Sequence, residues 1–312
     1  MNGKNLIICI DGTGNDALDA NSTNVLKLHQ AIDVNEADKQ QSYYFAGVGN
    51  EVEHNSFVQA KGSIFGYGAE KIKDEAYAKL GSVFTSGDKI FIFGFSRGAA
   101  IARELAVQVG NEGIKDQRAT IEMLGVWDTV AAFGIPIDVG PLHFQEINLF
   151  KDFSAAAYVK HAYHLVSIDE RRTPFKPTLM VSGKNVEEIW FAGVRSNVGG
   201  GAADSRLSDI TLSFMMNRAK EHGINFLPGA ADTLNPDIRG NLNKTKLDEK
   251  LPSKPRKIQV LTQSPGQKEP APSEFLPKIH HTVFERMEMA ELNYNPVNIN
   301  QLRDRYMIVN VN

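Results

Sequence analysis

A serine flanked by two glycines between an apolar run and an alanine-rich run is where chemistry is first legible. Lys89-Ile90-Phe91-Ile92-Phe93 leads into Gly94-Phe95-Ser96-Arg97-Gly98, and Ala99-Ala100-Ile101-Ala102-Arg103-Glu104-Leu105 follows. Strand, Gly-x-Ser-x-Gly, then helix is the pattern of a nucleophile elbow, in which a serine hydroxyl attacks an acyl carbon. Glycine is required on both sides because so tight a turn brings backbone against backbone. The elbow sets Ser96 at the carboxyl edge of a sheet. It also turns the amide of Arg97, at a helix N-terminus, toward the place where an oxyanion would form. The bare pattern also fits an ordinary strand–turn–helix with a capping serine.

Two further stretches could serve such a serine. Leu6-Ile7-Ile8-Cys9-Ile10 ends in Asp11-Gly12-Thr13-Gly14-Asn15, a turn rich in backbone donors. It suits an oxyanion or phosphate loop, with Gly12 and Thr13 as donors, and equally a tight turn in which Asp11 bonds its own backbone. Ile121-Glu122-Met123-Leu124-Gly125-Val126-Trp127 reads as a strand with Asp128 at its end. A carboxylate there, one strand–helix unit after the serine, can orient a base or can simply cap a turn.

The elements that must position these residues alternate along the chain. Continuous apolar runs at 6–10, 42–46, 89–95 and 121–127 suit parallel strands covered on both faces, with helices expected at 25–32, 69–80 and after Ser96. The expected fold is α/β, a mostly parallel, doubly wound sheet of the α/β-hydrolase kind in one domain spanning 1–312. Gly62 to Gly68 reads as a loop, and 131–160 as a lid or insertion with an apolar rim. Glu187 to Gly193 reads as a strand entering a glycine loop, Val194 to Gly201. From 229 to 278 the composition turns to Pro, Lys, Asn, Gln and Ser, a polar surface excursion with an edge strand at Lys257 to Leu261. Ile279 to Arg286 reads as a short helix.

Composition excludes several classes. With 34 basic against 37 acidic residues in 312, the net charge of −3 gives no overall basic bias, and nothing points to nucleic acid. The single Cys9 permits neither a disulfide framework nor a thiolate metal site. No His-Glu-x-x-His and no dinucleotide fingerprint is present, so no metal and no cofactor is expected. The run before Asp11 is too short for a signal peptide or a membrane span. The expectation is a cytoplasmic chain as synthesised, open to export by dedicated secretion machinery.

In order and combination these pieces resemble the DUF2235 family of α/β-hydrolases, which includes the Tle1-type phospholipase effectors of bacterial type VI secretion. The matching stretches are Ile10 to Asn15, Gly94 to Ala99, Gly125 to Val130, Tyr163-His164 through Ile168 to Arg172, Trp190 to Val194, Val198 to Gly201, Leu207 to Ile210, and His281-Thr282-Val283 with Arg286 and Tyr294-Asn295-Pro296. The resemblance implies a serine esterase acting on lipid, with Ser96 as nucleophile and Asp128 as the acid, and a protein partner of the immunity or secretion kind.

One stretch departs from the family pattern. Gly-Val-His-Ser-Asp-Val-Gly-Gly-Gly is expected, and Gly193-Val194-Arg195-Ser196-Asn197-Val198-Gly199-Gly200-Gly201 stands in its place. Arginine stays protonated and cannot relay a serine's proton. Two expectations follow. The first is a serine-dependent lipid ester hydrolase whose base is another histidine, His164 or His281. The second is a catalytically impaired relative that binds an anionic lipid or a protein partner.

Overall fold

The computed structural model describes residues 3–12, 21–48, 61–130 (61–67 by backbone alone), 157–243, 252–262 and 275–310. Eight strands form one sheet: β1 (Asn5–Ile10), β2 (Gln40–Phe45), β3 (Lys89–Phe95), β4 (Thr120–Trp127), β5 (Val159–Ser167), β6 (Val186–Phe191), β7 (Lys278–His280) and β8 (Met307–Val309). Their order is β2-β1-β3-β4-β5-β6-β7-β8, and every pairing is parallel. The order reverses between β1 and β3, so the loops after these two strands flank the crevice where open α/β sheets hold ligands. Asp11 and Ser96 stand at its two sides.

Pleat alternation explains the two covered faces. Leu6, Ile8 and Ile10 pack with Ile90 and Ile92 under α2 (Lys61–Val83) and α3 (Ser96–Glu112). Ile7 and Cys9 point the other way, with Phe91 and Phe93, under α1 (Asn24–Ala31) and α5 (Arg206–Glu221). Burial of both faces is why these strands read as continuous apolar runs. A third cluster, around Trp190, Ile279 and Val283, packs α6 (His281–Glu288) and Ile258 against the far end of the sheet.

Four local expectations change. Gly62 to Gly68, expected as a loop, opens the long helix α2. The loop expected at 194–201 contains a short helix, α4 (Arg195–Gly199). Lys257 to Leu261 is not an edge strand: its only ladder contact is the single bridge Val181–Leu261. Ile279 and His280 belong to β7, and the helix expected from 279 begins at His281. Most of the expected lid, 131–156, lies outside the described residues, as do 244–251 and 263–274 of the polar excursion.

Candidate active site

Ser96 is the first residue of α3 and has φ +60°, the left-handed region. For a non-glycine residue this costs about 1–2 kcal/mol and persists only where the surroundings over-determine it. Here they do: a Cβ on Gly98 would lie 2.2 Å from the carbonyl oxygen of Asp11, so the elbow is wedged against the β1 loop. Ser96 is 8 % exposed, and among the described residues its hydroxyl makes no hydrogen bond.

The carboxylate of the β1 loop ties it to α1 and β2 as well as to its own backbone. Asp11 accepts from Thr23 Oγ1 at 2.5 Å, from Tyr44 Oη at 2.7 Å and from the Gly12 amide at 2.6 Å. The Gly12 N–H is thus turned onto Asp11. Thr13 and Gly14, its neighbours in the expected oxyanion loop, lie outside the described residues. Burial, with help from the charge of Arg195, lowers the Arg97 guanidinium to about 10, so it remains a cation at neutral pH.

Asp128, at the carboxyl end of β4, is fully buried and also has a positive φ, +41°. Arg256 grips it with both ends of its fork, Nη1 to Oδ1 at 2.6 Å and Nη2 to Oδ2 at 3.0 Å. Arg195 Nη1 donates to Oδ2 at 3.1 Å, and the Ser167 amide and hydroxyl each donate to Oδ1 at 3.0 Å. Burial pushes this carboxyl up, but Arg256 and Arg195 overcome it and hold it at about 2. Where a triad acid would present one oxygen to an imidazole, Asp128 presents both to guanidinium groups.

Arg195 opens α4 and lies between two rings, 4.8 Å from the centre of Phe175 and 5.5 Å from that of Phe95. Burial lowers its guanidinium to about 10 against the pull of Asp128, which leaves it charged. Among the described residues it donates through Nη1 alone, to the carboxylate and backbone oxygen of Asp128. Its remaining donors are uncommitted there. Two residues on, Asn197 uses its amide in a way an aspartate could not. Its Oδ1 accepts from the amides of Val194 at 3.2 Å and Asn243 at 3.0 Å, and its Nδ2 donates to the Asn241 carbonyl at 2.9 Å.

Neither alternative histidine meets Ser96. His164 is fully buried, with Nε2 accepting from the Thr129 amide at 3.1 Å. Nδ1 then carries the proton and donates to Glu188 at 2.8 Å, so both nitrogens are occupied. His281 opens α6 beside Glu285 at 2.8 Å. The strand before it, β7, is four places from β3, about 19 Å at the usual strand spacing.

Sequence reasoning missed Arg256 and Ser167. Ser167 ends β5 next to Asp128, a placement that only pairing reveals. Arg256 sits among lysines in the polar excursion, where nothing in the sequence marks it as buried. The charged cluster after β5 is a structural network: Arg172 clasps Glu170, and Asp169 holds the Gly193 amide and the Tyr294 hydroxyl, each at 2.7 Å.

The model of the family described as type VI secretion phospholipase effector Tle1-like, catalytic domain, matches residues 4–118 and 108–218. The chain belongs to that family. Its match to the Tle1-like catalytic domain contains the elbow, Asp128 and Arg195. An uncharacterized protein of Saccharomyces cerevisiae is 28% identical over 229 residues, 56% of this chain and 32% of the relative. A crystal structure of an uncharacterized Pseudomonas aeruginosa protein superposes with a TM-score of 0.51 at 20% identity, covering 73% of this chain and 47% of that one, a likeness of fold. The Tle1 effector bound to the VgrG spike gives 0.44 at 19% identity, over 65% of this chain and 53% of that one. The chain spans about half the length of those two structures and a third of the yeast relative. Among the described residues no helix is long and apolar enough to cross a membrane.

Proposed function

We propose that this Tle1-like domain binds anionic lipid esters of the phospholipid class at the Ser96 corner and hydrolyses them only slowly. The observation that carries this reading is the double clasp of Arg195 and Arg256 on Asp128. Acyl transfer needs a group that takes the serine proton as the oxygen attacks and returns it to the leaving alcohol. Arg195 holds its proton throughout, and among the described residues no imidazole replaces it. Losing a triad member leaves the contribution of binding and the oxyanion hole, a deficit of roughly 10⁴- to 10⁶-fold. What remains is recognition: a guanidinium with uncommitted donors is well suited to a phosphate oxygen.

Family membership favours a second reading, full serine-dependent hydrolysis with Ser96 as nucleophile. His54 and His143, outside the described residues, are the imidazoles it would draw on. Export with a secretion component as partner is likewise proposed from the family alone. Three measurements separate the readings. Fatty-acid release from phosphatidylglycerol vesicles should be near background in the native chain, and fluorophosphonate labelling of Ser96 slow. Vesicle binding should survive Ser96→Ala and weaken in Arg195→Gln. Rapid turnover abolished by Ser96→Ala would overturn the impaired reading in favour of the second.

A further inference from the structure

At the amino ends of the strands, away from Ser96, three side chains that can ligate a metal converge. Glu122 lies near the start of β4, His161 near the start of β5, and His222 directly after α5. One ligating atom from each lies within 4.8 Å of the other two. The backbone is irregular at this point: Ile90 pairs with Ile121 while Phe91 pairs with Met123, so Glu122 is the extra residue of a bulge. A bulge re-aims a side chain that regular pleating would send elsewhere. His161 and Tyr163 share one face of β5. The His161 and His222 rings stack at 3.9 Å with 19° between their planes, and the Tyr163 hydroxyl lies 2.9 Å from His222 Nε2.

We propose that Glu122, His161 and His222 bind one divalent cation of the zinc class, with water completing the coordination. Two imidazoles and a carboxylate are the donors that suit zinc and its first-row neighbours, and three protein ligands leave one position for water. The cation takes the place of the Lys160 ammonium, now 2.9 Å from Glu122, while Lys89 stays at 3.9 Å. Lys160 is half-exposed and can swing into water. The two rings turn out of their stack so that their lone pairs converge, and the donors close to about 3.4 Å apart, the spacing of a tetrahedral sphere. Tyr163 supplies the outer hydrogen bond that orients a ligating imidazole. The bound ion would clip the end of α5 to β4 and β5, about 20 Å along the strand from Asp128. It is independent of the lipid site.

The test uses the full, untagged chain stripped with a chelator. Calorimetric titration with zinc chloride should show one saturable site, zinc should raise the melting temperature, and cobalt(II) should give the visible bands of a four-coordinate site. Losing an outer partner alone costs about 10–100-fold in metal affinity, so His161→Asn and His222→Gln should each weaken zinc by at least that much. Lys160→Ala, which removes the competing ammonium, should tighten it. Absence of saturable binding at millimolar zinc, or equal binding by the native chain and a double variant carrying both His161→Asn and His222→Gln, overturns the proposal. Should that double variant not fold, unchanged affinity in Lys160→Ala does so instead.

Discussion

Two glycine-bearing corners meet over the carboxyl edge of the sheet, and they have diverged differently. At the elbow, backbone and side chain agree: Ser96 keeps its left-handed φ and Gly98 its contact with the β1 loop. At the second corner the backbone is equally constrained. Gly200 has φ +81°, and a Cβ there would lie 2.6 Å from the Asn24 amide. Yet its side chains, Arg195 and Asn197, differ from the histidine and aspartate that the resemblance implies there. Close packing can hold a backbone frame while the side chains it carries differ, so the fold by itself does not fix the reaction.

Removing the charge that holds the second corner should have the largest effect. Asp128→Asn leaves two buried guanidinium groups unpaired and should cost about 3–5 kcal/mol in denaturant unfolding; a loss under 1 kcal/mol would mean the corner stands on packing alone, as the first does. The same group predicts an acid limb. Its folded pKa lies near 2 against an ordinary 3.8, so its contribution is complete above 3.8 and is lost as pH falls toward 2. Acid titration of stability should show this limb in the native chain and not in Asp128→Asn.

The first corner is tested through its backbone. Gly98→Ala must displace the β1 loop and should destabilise by about 1–3 kcal/mol, with Ser96 labelling lost as well. Arg195→His sharpens the contrast from the other side. It places an imidazole beside Asp128 and should raise ester turnover about tenfold or more, a fraction of what a complete triad supplies. Unchanged turnover would show that Arg195 is not at the base position. The smallest effect is Ser96→Gly, which relieves the left-handed strain and should stabilise by about 1 kcal/mol while abolishing labelling.

Legibility followed burial. Strands covered on both faces are apolar throughout, so β1, β3 and β4 could be read together with Ser96 and Asp128 at their ends. Segments whose structure depends on partners could not. Each glycine weakens a helix by about 1 kcal/mol relative to alanine, and Gly62, Gly66 and Gly68 hid the start of α2, which continues a long helix. β7 and β8 have three residues each and no periodicity to detect. Arg195 stands out in the sequence only against a resemblance that implies histidine there. Arg256 had no such reference, since a cation's burial is decided by a carboxylate 128 positions away.

That separation has a kinetic consequence. Asp128, Ser167, Arg195 and Arg256 come from four distant stretches of chain, and their junction closes only after the loops between them have been ordered. It should therefore be among the last contacts made and the first released. Weakening it, as in Arg256→Lys, is then expected to accelerate unfolding and leave the refolding rate nearly unchanged.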